Sequence, residues 1–212
     1  MTKTPVTTGN EALPTLEINR NARYRGTRNS RDQMPRERTH IRYQLYRSKA
    51  RKFASTITTQ LHAQGLIDGT EADLSRIRFE AIDVKALTDY SFWGDDSHFS
   101  WDEIVNWKTK EPMSFDLSIW SDLELCGLCF ANPNQSRLRV KIVRLEGKPG
   151  KTHPLKNRIA PLALIAVEHY ARIIGSRFIE IQEPTRGALP IYKQLGFEFD
   201  AKGRLVMALE SD

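Results

Sequence analysis

The chain has 212 residues, of which 40% are apolar and 27% are charged, and its formal net charge is +6. This length fits one domain with an extension, and the composition is that of an ordinary globular protein. No run of eighteen apolar residues occurs, and the first twenty residues lack the apolar core of a signal peptide. We therefore expect a cytoplasmic protein without a transmembrane helix.

Basic residues are concentrated near the N-terminus. Twelve Lys or Arg residues lie between Arg20 and Lys52, against only Asp32 and Glu37. Residues 1–35 have no apolar period and are rich in Thr, Asn, Arg and Pro, which predicts a flexible basic arm. Residues 20–52 suit contact with the phosphates of nucleic acid or of a ribosome; the alternative is a solvated helix face.

A basic amphipathic helix is predicted within residues 36–70. It should run from Arg36 to about Gln64, just before Gly65. Its apolar stripe comprises Tyr46, Ala50, Phe53, Ile57 and Leu61. Arg47, Arg51 and Lys52 should point away from that stripe.

Residues 71–212 are predicted to form the main domain. Residues 75–83 alternate as a first strand does, and residues 84–93 suit a short helix. Ser100 and Glu103 form an S-x-x-E capping box, which predicts a second helix through Trp107.

Three strand segments follow, at residues 113–120, 123–131 and 137–145, with a turn at residues 132–134. The second contains Cys126 and Cys129, the only cysteines of the chain. Strand residues three apart point to opposite faces, which favours two packed side chains over a redox or metal pair. The sequence predicts no metal site.

The C-terminal region reads as helix, strand, helix, strand. A helix should begin at Ile159 and end at Gly175, with Glu168 and Arg172 on one polar face. A strand at residues 176–182 and a helix after Pro184 follow. The order of elements, with tight connections, predicts an α/β layer arrangement.

The segment ALPIYKQLGF, residues 188–197, resembles the C-terminal signature of the GNAT superfamily of N-acetyltransferases. That signature pairs an Ala with a Tyr four residues later and closes with Gly-Phe. The resemblance extends over residues 75 to the C-terminus. It implies an α/β (α+β) fold with a mixed, mostly antiparallel central sheet flanked by helices, here with a basic helical N-terminal extension.

The same resemblance implies an activity: acetyl-CoA-dependent transfer of an acyl group directly to an amine. Tyr192 would be the general acid for the departing thiolate, since a phenol is still protonated at pH 7. The alternative is a packed tyrosine ring. Strand backbone donors at Val143, Arg144 and Leu145 would polarise the thioester carbonyl.

The loop before the long helix departs from the family pattern R/Q-x-x-G-x-G/A. The matching stretch is residues 155–160, where only Ala160 fits and Arg158 replaces the glycine. Basic side chains beside a helix start can still hold a pyrophosphate, and the alternative is a solvated loop. The predicted coenzyme contacts in this loop are Lys151, Lys156, Asn157, Arg158, Ile159 and Ala160.

The amine must lose a proton before it attacks the thioester. Glu124, Glu146 and Asp116 are the candidate bases, and each suits a surface strand edge equally well. The acceptor site implied by the resemblance is the aromatic and acidic region after the first strand, with Trp93, Asp95, Asp96 and Trp101 as substrate contacts. The alternative is a small aromatic core under a solvated acidic loop.

Two other functions stay open at this point. The chain can be a GNAT-like binding module without turnover, as the departure in the pyrophosphate loop suggests. It can also be a nucleic-acid-associated protein that acts through its basic N-terminal arm. The sequence names neither the amine nor the acyl group, and it leaves open a homodimer formed through the sheet.

Overall fold

The structure is a computed structural model that describes residues 30–65, 73–150 and 152–210, with side chains from residue 38 onward. Most of the predicted arm 1–35, and Lys151, lie outside the described residues. The helices are α1 (Ser30–Ala63), α2 (Val84–Tyr90), α3 (Ile104–Lys110), α4 (Ile159–Ile173) and α5 (Leu189–Gln194). The strands are β1 (Ile77–Glu80), β2 (Phe115–Ser121), β3 (Glu124–Pro133), β4 (Arg139–Gly147), β5 (Phe178–Ile181), β6 (Glu198–Phe199) and β7 (Leu205–Ala208).

The seven strands form one sheet in the order β1-β2-β3-β4-β5-β7-β6. Every neighbouring pair is antiparallel except β4 and β5, which are parallel. The crossover between those two strands contains α4, as a parallel connection requires. The predicted mixed, mostly antiparallel sheet is therefore confirmed.

Two apolar clusters lie on opposite faces of the sheet. On one face, α1, α4 and α5 contribute to a core around Phe115, Tyr170 and Ile179. On the other, α2 and α3 cover a smaller core around Trp101, Trp120 and Leu128. Burying both faces explains why β2 is buried along nearly its whole length.

The helix α1 is present but differs from its prediction in start and in orientation. It begins at Ser30, before Arg36, and its side facing the body carries Tyr43, Ala50, Ala54 and Thr58. Phe53, placed in the predicted stripe, is 38% exposed and stacks on a histidine of α4. The small side chains let α1 lie close to α4, so the buried face follows size rather than hydrophobicity alone.

Arg47 and Arg51 do not point away from the body, so that prediction is wrong. The Nη1 atom of Arg47 donates to the carbonyl oxygens of Pro112 and Ser114, at 3.1 and 3.0 Å. Arg51 donates to the carbonyl oxygen of Asp116 at 2.8 Å. These carbonyls at the start of β2 need donors, and the two arginines supply them. Only Lys52 of the three is exposed as predicted.

The predicted capping box at Ser100 does not form. Ser100 precedes a short 3-10 turn (Trp101–Glu103) that leads into α3, and its side chain makes no capping hydrogen bond. Its carbonyl oxygen instead accepts from Arg144, and the carboxylate of Glu103 pairs with the same guanidinium. A tertiary cation has replaced the local capping interaction.

One residue is inserted into the ladder between β2 and β3 as a bulge. Cys126 is the extra residue of β3 opposite β2, because Ile119 pairs with Gly127 while Trp120 pairs with Leu125. Cys126 and Cys129 therefore face the same core, against the prediction of opposite faces. Both are buried free thiols, so the expectation of two packed side chains is confirmed.

The C-terminal region follows the predicted order with one addition. The helix α4 ends before Gly175, which has φ 77°, and Glu168 pairs with Arg172 at 2.9 Å. The single predicted final strand is two strands, β6 and β7, and β7 lies between β5 and β6. Among the described residues, no helix is both long and apolar enough to cross a membrane.

Candidate active site

The strand β4 pairs with β3 along its length but with β5 along only its first half. Residues 139–142 pair with residues 178–181, and the amide of Gln182 donates to the carbonyl oxygen of Ile142 at 3.0 Å. Val143 is then a bulge, since Phe130 pairs with Arg144 and Ala131 with Ile142. From Val143 to Gly147, no β5 residue pairs with β4. This stretch is an open strand edge inside the sheet.

The open edge includes the three residues predicted to polarise a thioester carbonyl, Val143, Arg144 and Leu145. Only their backbone can serve that purpose, because their side chains pack on the two cores. The Arg144 guanidinium donates to the Ser100 carbonyl oxygen at 2.7 Å and lies 4.1 Å from the ring centroid of Trp107. Arg144 therefore fixes the start of α3, and its charge is not directed at the edge.

The N-terminus of α4 lies over the end of this edge. The side chain of Ile159, the first residue of α4, contacts Gly127 of β3 and Gly147 of β4, which pair with each other. The amide of Arg158 donates to the carbonyl oxygen of Leu155 at 3.0 Å, and Pro161 has no amide hydrogen. The amides of Ile159 and Ala160 are then the first-turn donors left for a ligand in the described structure.

The basic side chains of the loop before α4 do not act as one group. The Lys148 ammonium pairs with Glu124 at 2.7 Å, and Lys156 donates to the carbonyl oxygen of Gly150 at 2.7 Å. Arg158 occupies the N-cap position of α4 without a side-chain capping hydrogen bond, and it is half-buried. The residue with left-handed backbone is Asn157, at φ 63°, one position before the predicted glycine position. Asparagine tolerates that conformation, so the turn forms without glycine.

Tyr192 is buried in the core beside β3. Its ring meets Phe197 edge-on, with centroids 5.8 Å apart, and its carbonyl oxygen accepts from the Phe197 amide at 3.0 Å. Burial, and secondarily the nearby Cys129, raise the pKa of Tyr192 to about 12. Within the described residues its hydroxyl has no hydrogen-bond partner. The phenol group is therefore protonated at neutral pH, and its hydroxyl hydrogen is available to donate to a ligand.

The carboxylate group of Glu146, a predicted base, accepts hydrogen bonds from three donors. It accepts from the amide of His98 at 2.6 Å, from the hydroxyl of Ser97 at 3.1 Å and from the indole of Trp101 at 2.8 Å. The residue is 7% exposed. Three donors from one loop therefore already contact its two carboxylate oxygens. Its evident role is to hold the loop before α3.

Asp116 and Glu124, the other predicted bases, have different surroundings. Asp116 is buried and accepts from the amide of Ile82 and the ammonium of Lys108, both at 2.8 Å, with Arg51 at 3.8 Å. It fastens elements together. Glu124 is partly exposed, pairs only with Lys148 among the described residues, and faces a cavity. Glu124 is the candidate base with access to a ligand.

The predicted acceptor residues divide between core and surface. Trp101 is completely buried, and its indole serves Glu146. Asp95 and Asp96 are exposed at the end of a 3-10 helix (Ser91–Asp96). A cavity of about 170 Å³ does exist on this side of the sheet, and Trp93 is the only predicted acceptor residue in its lining. The lining comprises Asp89, Phe92, Trp93, Leu123, Glu124, Leu125 and Lys148.

His153 is a buried histidine that the sequence analysis did not identify. It is 7% exposed, in the loop between β4 and α4, and its Nδ1 atom has no hydrogen-bond partner in the described structure. Burial, then Lys156 and Lys148, lower the pKa of His153, against the opposing effect of Glu124. Its Thr-His-Pro context in a basic loop carries no sequence signal of burial.

Three of the many solved structures that are similar to this chain show the extent of the likeness. Ard1 from Thermoplasma volcanium has 11% identity and a TM-score of 0.49, over 64% of this chain and 99% of that one. The ribosomal-protein-S18-alanine N-acetyltransferase from Escherichia coli has 10% identity and a TM-score of 0.47, over 64% and 96%. A Bacillus subtilis acetyltransferase in complex with CoA has 22% identity and a TM-score of 0.46, over 64% and 99%.

No protein-family model matches the sequence, and no curated protein matches it significantly. The topology of the chain itself decides the fold. After α1 come a strand, two helices, three antiparallel strands, a helix, a parallel strand, a helix and a final hairpin, the layout that the resemblance implied with one more strand. The chain has a GNAT-like fold. In this GNAT-like body, the open edge of β4 and the start of α4 lie at the carboxyl end of the parallel pair, where open α/β sheets bind ligands.

Proposed function

We propose that this protein is an acetyl-CoA-dependent N-acetyltransferase that transfers the acetyl group directly to an amine. The observation that carries the proposal is the open edge of β4 from Val143 to Gly147, which ends beneath the first residue of α4. An extended ligand with amide groups can pair with a free strand edge, and its phosphates then reach the helix N-terminus.

The residues present fit the coenzyme, with a reduced phosphate cradle. The backbone of β4 offers donors and acceptors to the pantetheine amides. The amides of Ile159 and Ala160, with Lys156 and Arg158, would hold the pyrophosphate. Arg158 supplies a charge where the family pattern has a glycine. We therefore expect phosphate binding to depend strongly on these two side chains.

Acetyl-CoA supplies an activated acetyl thioester. The backbone amides of β4 would polarise its carbonyl group, because an amide on an unpaired edge is already oriented and needs no rearrangement. The Tyr192 hydroxyl would donate its proton to the thiolate sulfur as the carbon–sulfur bond breaks. A phenol whose pKa is about 12 remains protonated at neutral pH and can protonate a developing thiolate.

The cavity at Trp93 would hold the acceptor amine. Asp89 and Glu124 contribute negative charge to its lining, and Phe92 and Trp93 contribute aromatic surface, which together suit a cationic amine. Glu124 would accept the proton that the ammonium group loses, directly or through water. Its pairing with Lys148 holds the carboxylate at the cavity wall.

Isothermal titration of acetyl-CoA into the purified protein tests the proposal. We expect binding at about micromolar concentration, in the range usual for enzyme substrates. The variant Lys156→Ala with Arg158→Ala should lose this binding, whereas Lys110→Ala with Lys202→Ala, which removes two exposed charges elsewhere, should keep it. Absence of binding at high micromolar coenzyme would overturn the proposal.

A binding module without turnover is the second candidate, and the full occupation of Glu146 favours it. If Glu146 serves only to hold the loop before α3, proton removal from the amine rests on Glu124 alone. Acetyl-CoA binding without acetylation of any amine in a broad screen, diamines and peptide N-termini included, would support this alternative.

A further inference from the structure

A second cavity lies between α1 and the GNAT-like body, and its lining includes none of the residues assigned above to the coenzyme. Its volume is about 290 Å³. One wall is a stripe of α1 at helical spacing, and the other comes from the body. The lining comprises His40, Gln44, Arg47, Arg51, Ala81, Lys108, Ser114 and Asp116.

Three cations converge on this cavity from two elements. Arg47 and Arg51 come from α1, and Lys108 comes from α3. Each arginine spends only its Nη1 atom on backbone carbonyls, at 2.8–3.1 Å. Within the described residues, the Nε and Nη2 hydrogens of both guanidinium groups have no acceptor. A guanidinium has five donors, so several remain to bind a ligand.

The cavity carries an excess of positive charge. Among the described residues of its lining, Asp116 is the only acid, and it already faces Lys108 at 2.8 Å and Arg51 at 3.8 Å. Arg47 adds a third cation. Burial and the proximity of Arg47 both lower the pKa of Arg51, in opposition to Asp116. Like charges held this close repel each other, and an anion placed between them would relieve that repulsion.

We propose that this cavity binds a phosphate group, as free phosphate or as a phosphomonoester. The planar donor array of two guanidinium groups matches phosphate oxygens, and the ammonium of Lys108 adds a point charge. A volume of about 290 Å³ holds a phosphate together with part of the group that carries it.

A phosphate site in this cavity changes which ligand we expect the basic residues of α1 to bind. Two of its cations face inward, so they cannot follow the backbone of a nucleic acid across the surface of α1. A phosphate bound here would instead join α1 to β2 and α3, and would stabilise their contact by mass action. The chemistry favours one terminal phosphate over a continuous strand.

The test is calorimetric titration of inorganic phosphate at constant ionic strength, with chloride as the balancing anion. Gln44→Glu adds a negative charge to the cavity wall at an exposed position, where the fold tolerates it. We expect this variant to weaken phosphate binding by about tenfold or more. Gln60→Glu makes the same change on an exposed part of α1 outside the cavity and should bind as the wild type does.

Two further probes separate the sources of the phosphate. Adenosine 5′-monophosphate that binds with the same dependence on Gln44 supports a phosphomonoester site, and binding of inorganic phosphate alone supports a free-phosphate site. A single-stranded RNA oligomer that binds equally to Gln44→Glu and to wild type, with no binding of the small probes, would overturn the proposal. So would phosphate binding that both glutamate variants retain. Neither result depends on acetyl-CoA binding.

Discussion

A Cβ atom on Gly127 would lie 2.6 Å from Cγ2 and 2.8 Å from Cδ1 of Ile159. Gly127 pairs across the ladder with Gly147, where a Cβ atom would lie 3.1 Å from Cγ1 of the same isoleucine. The first residue of α4 therefore occupies a depression formed by two paired glycines. This contact sets the height of the helix N-terminus above the sheet, and with it the position of the amides proposed to bind phosphate.

Gly127→Ala should destabilise the protein by about 1–3 kcal/mol, as overpacking of a tight contact does. It should also weaken acetyl-CoA binding, because α4 must rise from the sheet to admit the methyl group. Urea unfolding and coenzyme titration measure the two effects. In the double variant with Ile159→Ala the clash is absent, so the two substitutions should be strongly non-additive.

Gly187→Ala is the matched control, since nothing lies within 4 Å of a Cβ atom placed there. Its stability should stay within about 0.5 kcal/mol of the wild type. If Gly127→Ala behaves like Gly187→Ala, then the contact with Ile159 does not position α4.

Glu146→Gln separates a structural role from a catalytic one. An amide side chain offers one acceptor oxygen to the three donors that Glu146 now serves, and its amino group meets donors instead of acceptors. We expect a loss of about 2–4 kcal/mol in the free energy of unfolding, since hydrogen bonds to a buried charge are strong. Chemical denaturation measures this loss.

The control is Glu103→Gln, whose carboxylate is 54% exposed and pairs only with Arg144 in the described structure. That change should cost at most about 1 kcal/mol. A Glu146→Gln protein that is as stable as wild type but inactive would contradict the structural role and identify Glu146 as the base.

Tyr192→Phe should lower kcat by about a hundredfold and leave KM nearly unchanged, because the hydroxyl acts on the leaving thiolate and not on substrate binding. The wild-type pKa of about 12 adds a pH criterion. Below about pH 11 the phenol keeps its proton, so Tyr192 contributes no alkaline loss of kcat up to pH 10. Steady-state kinetics across pH 6–10 measure both features.

Phe197 packs edge-on against Tyr192 and supplies the control for a mere packing effect. Phe197→Leu disturbs the same contact but keeps the hydroxyl, so it should lower stability while kcat changes little. Equal loss of kcat in Phe197→Leu and in Tyr192→Phe would argue against proton donation by Tyr192.

Apart from the final strand, which is two strands, the order and type of the elements could be predicted from apolar periodicity, because it differs between helices and strands. The prediction that α4 begins at Ile159 was correct, because the apolar pattern starts at that residue. Gly175 ends the same pattern. The faces that these elements present were harder to predict. A bulge adds one residue and reverses the alternation, as Cys126 shows, and an unbroken apolar run hides it.

Contacts between distant segments account for the other differences. Arg47 and Arg51 lie 65 to 67 residues before the carbonyls they serve, and no local pattern marks those carbonyls as needing donors. Likewise, Glu146 looked like a free carboxylate on a strand until the loop before α3 placed three donors on it. Residue type indicated charge and reactivity, whereas only the packed structure determined which charges are already paired.

The buried His153 predicts a pH dependence of stability. Its pKa is lowered in the folded chain, chiefly by burial, so as pH falls the unfolded chain takes up this proton first. The contribution of His153 is therefore fully present above its unfolded pKa of about 6.5 and decreases as pH falls below that value. His169 has a pKa lowered by burial and contributes with the same sign.

We expect His153→Gln to reduce, but not abolish, the loss of unfolding free energy between about pH 7 and 5, as followed by urea titrations at each pH. The same substitution at the exposed His98 should leave that slope unchanged, and an unchanged slope in His153→Gln as well would show that the ring accepts a proton in the folded chain as readily as in the unfolded one.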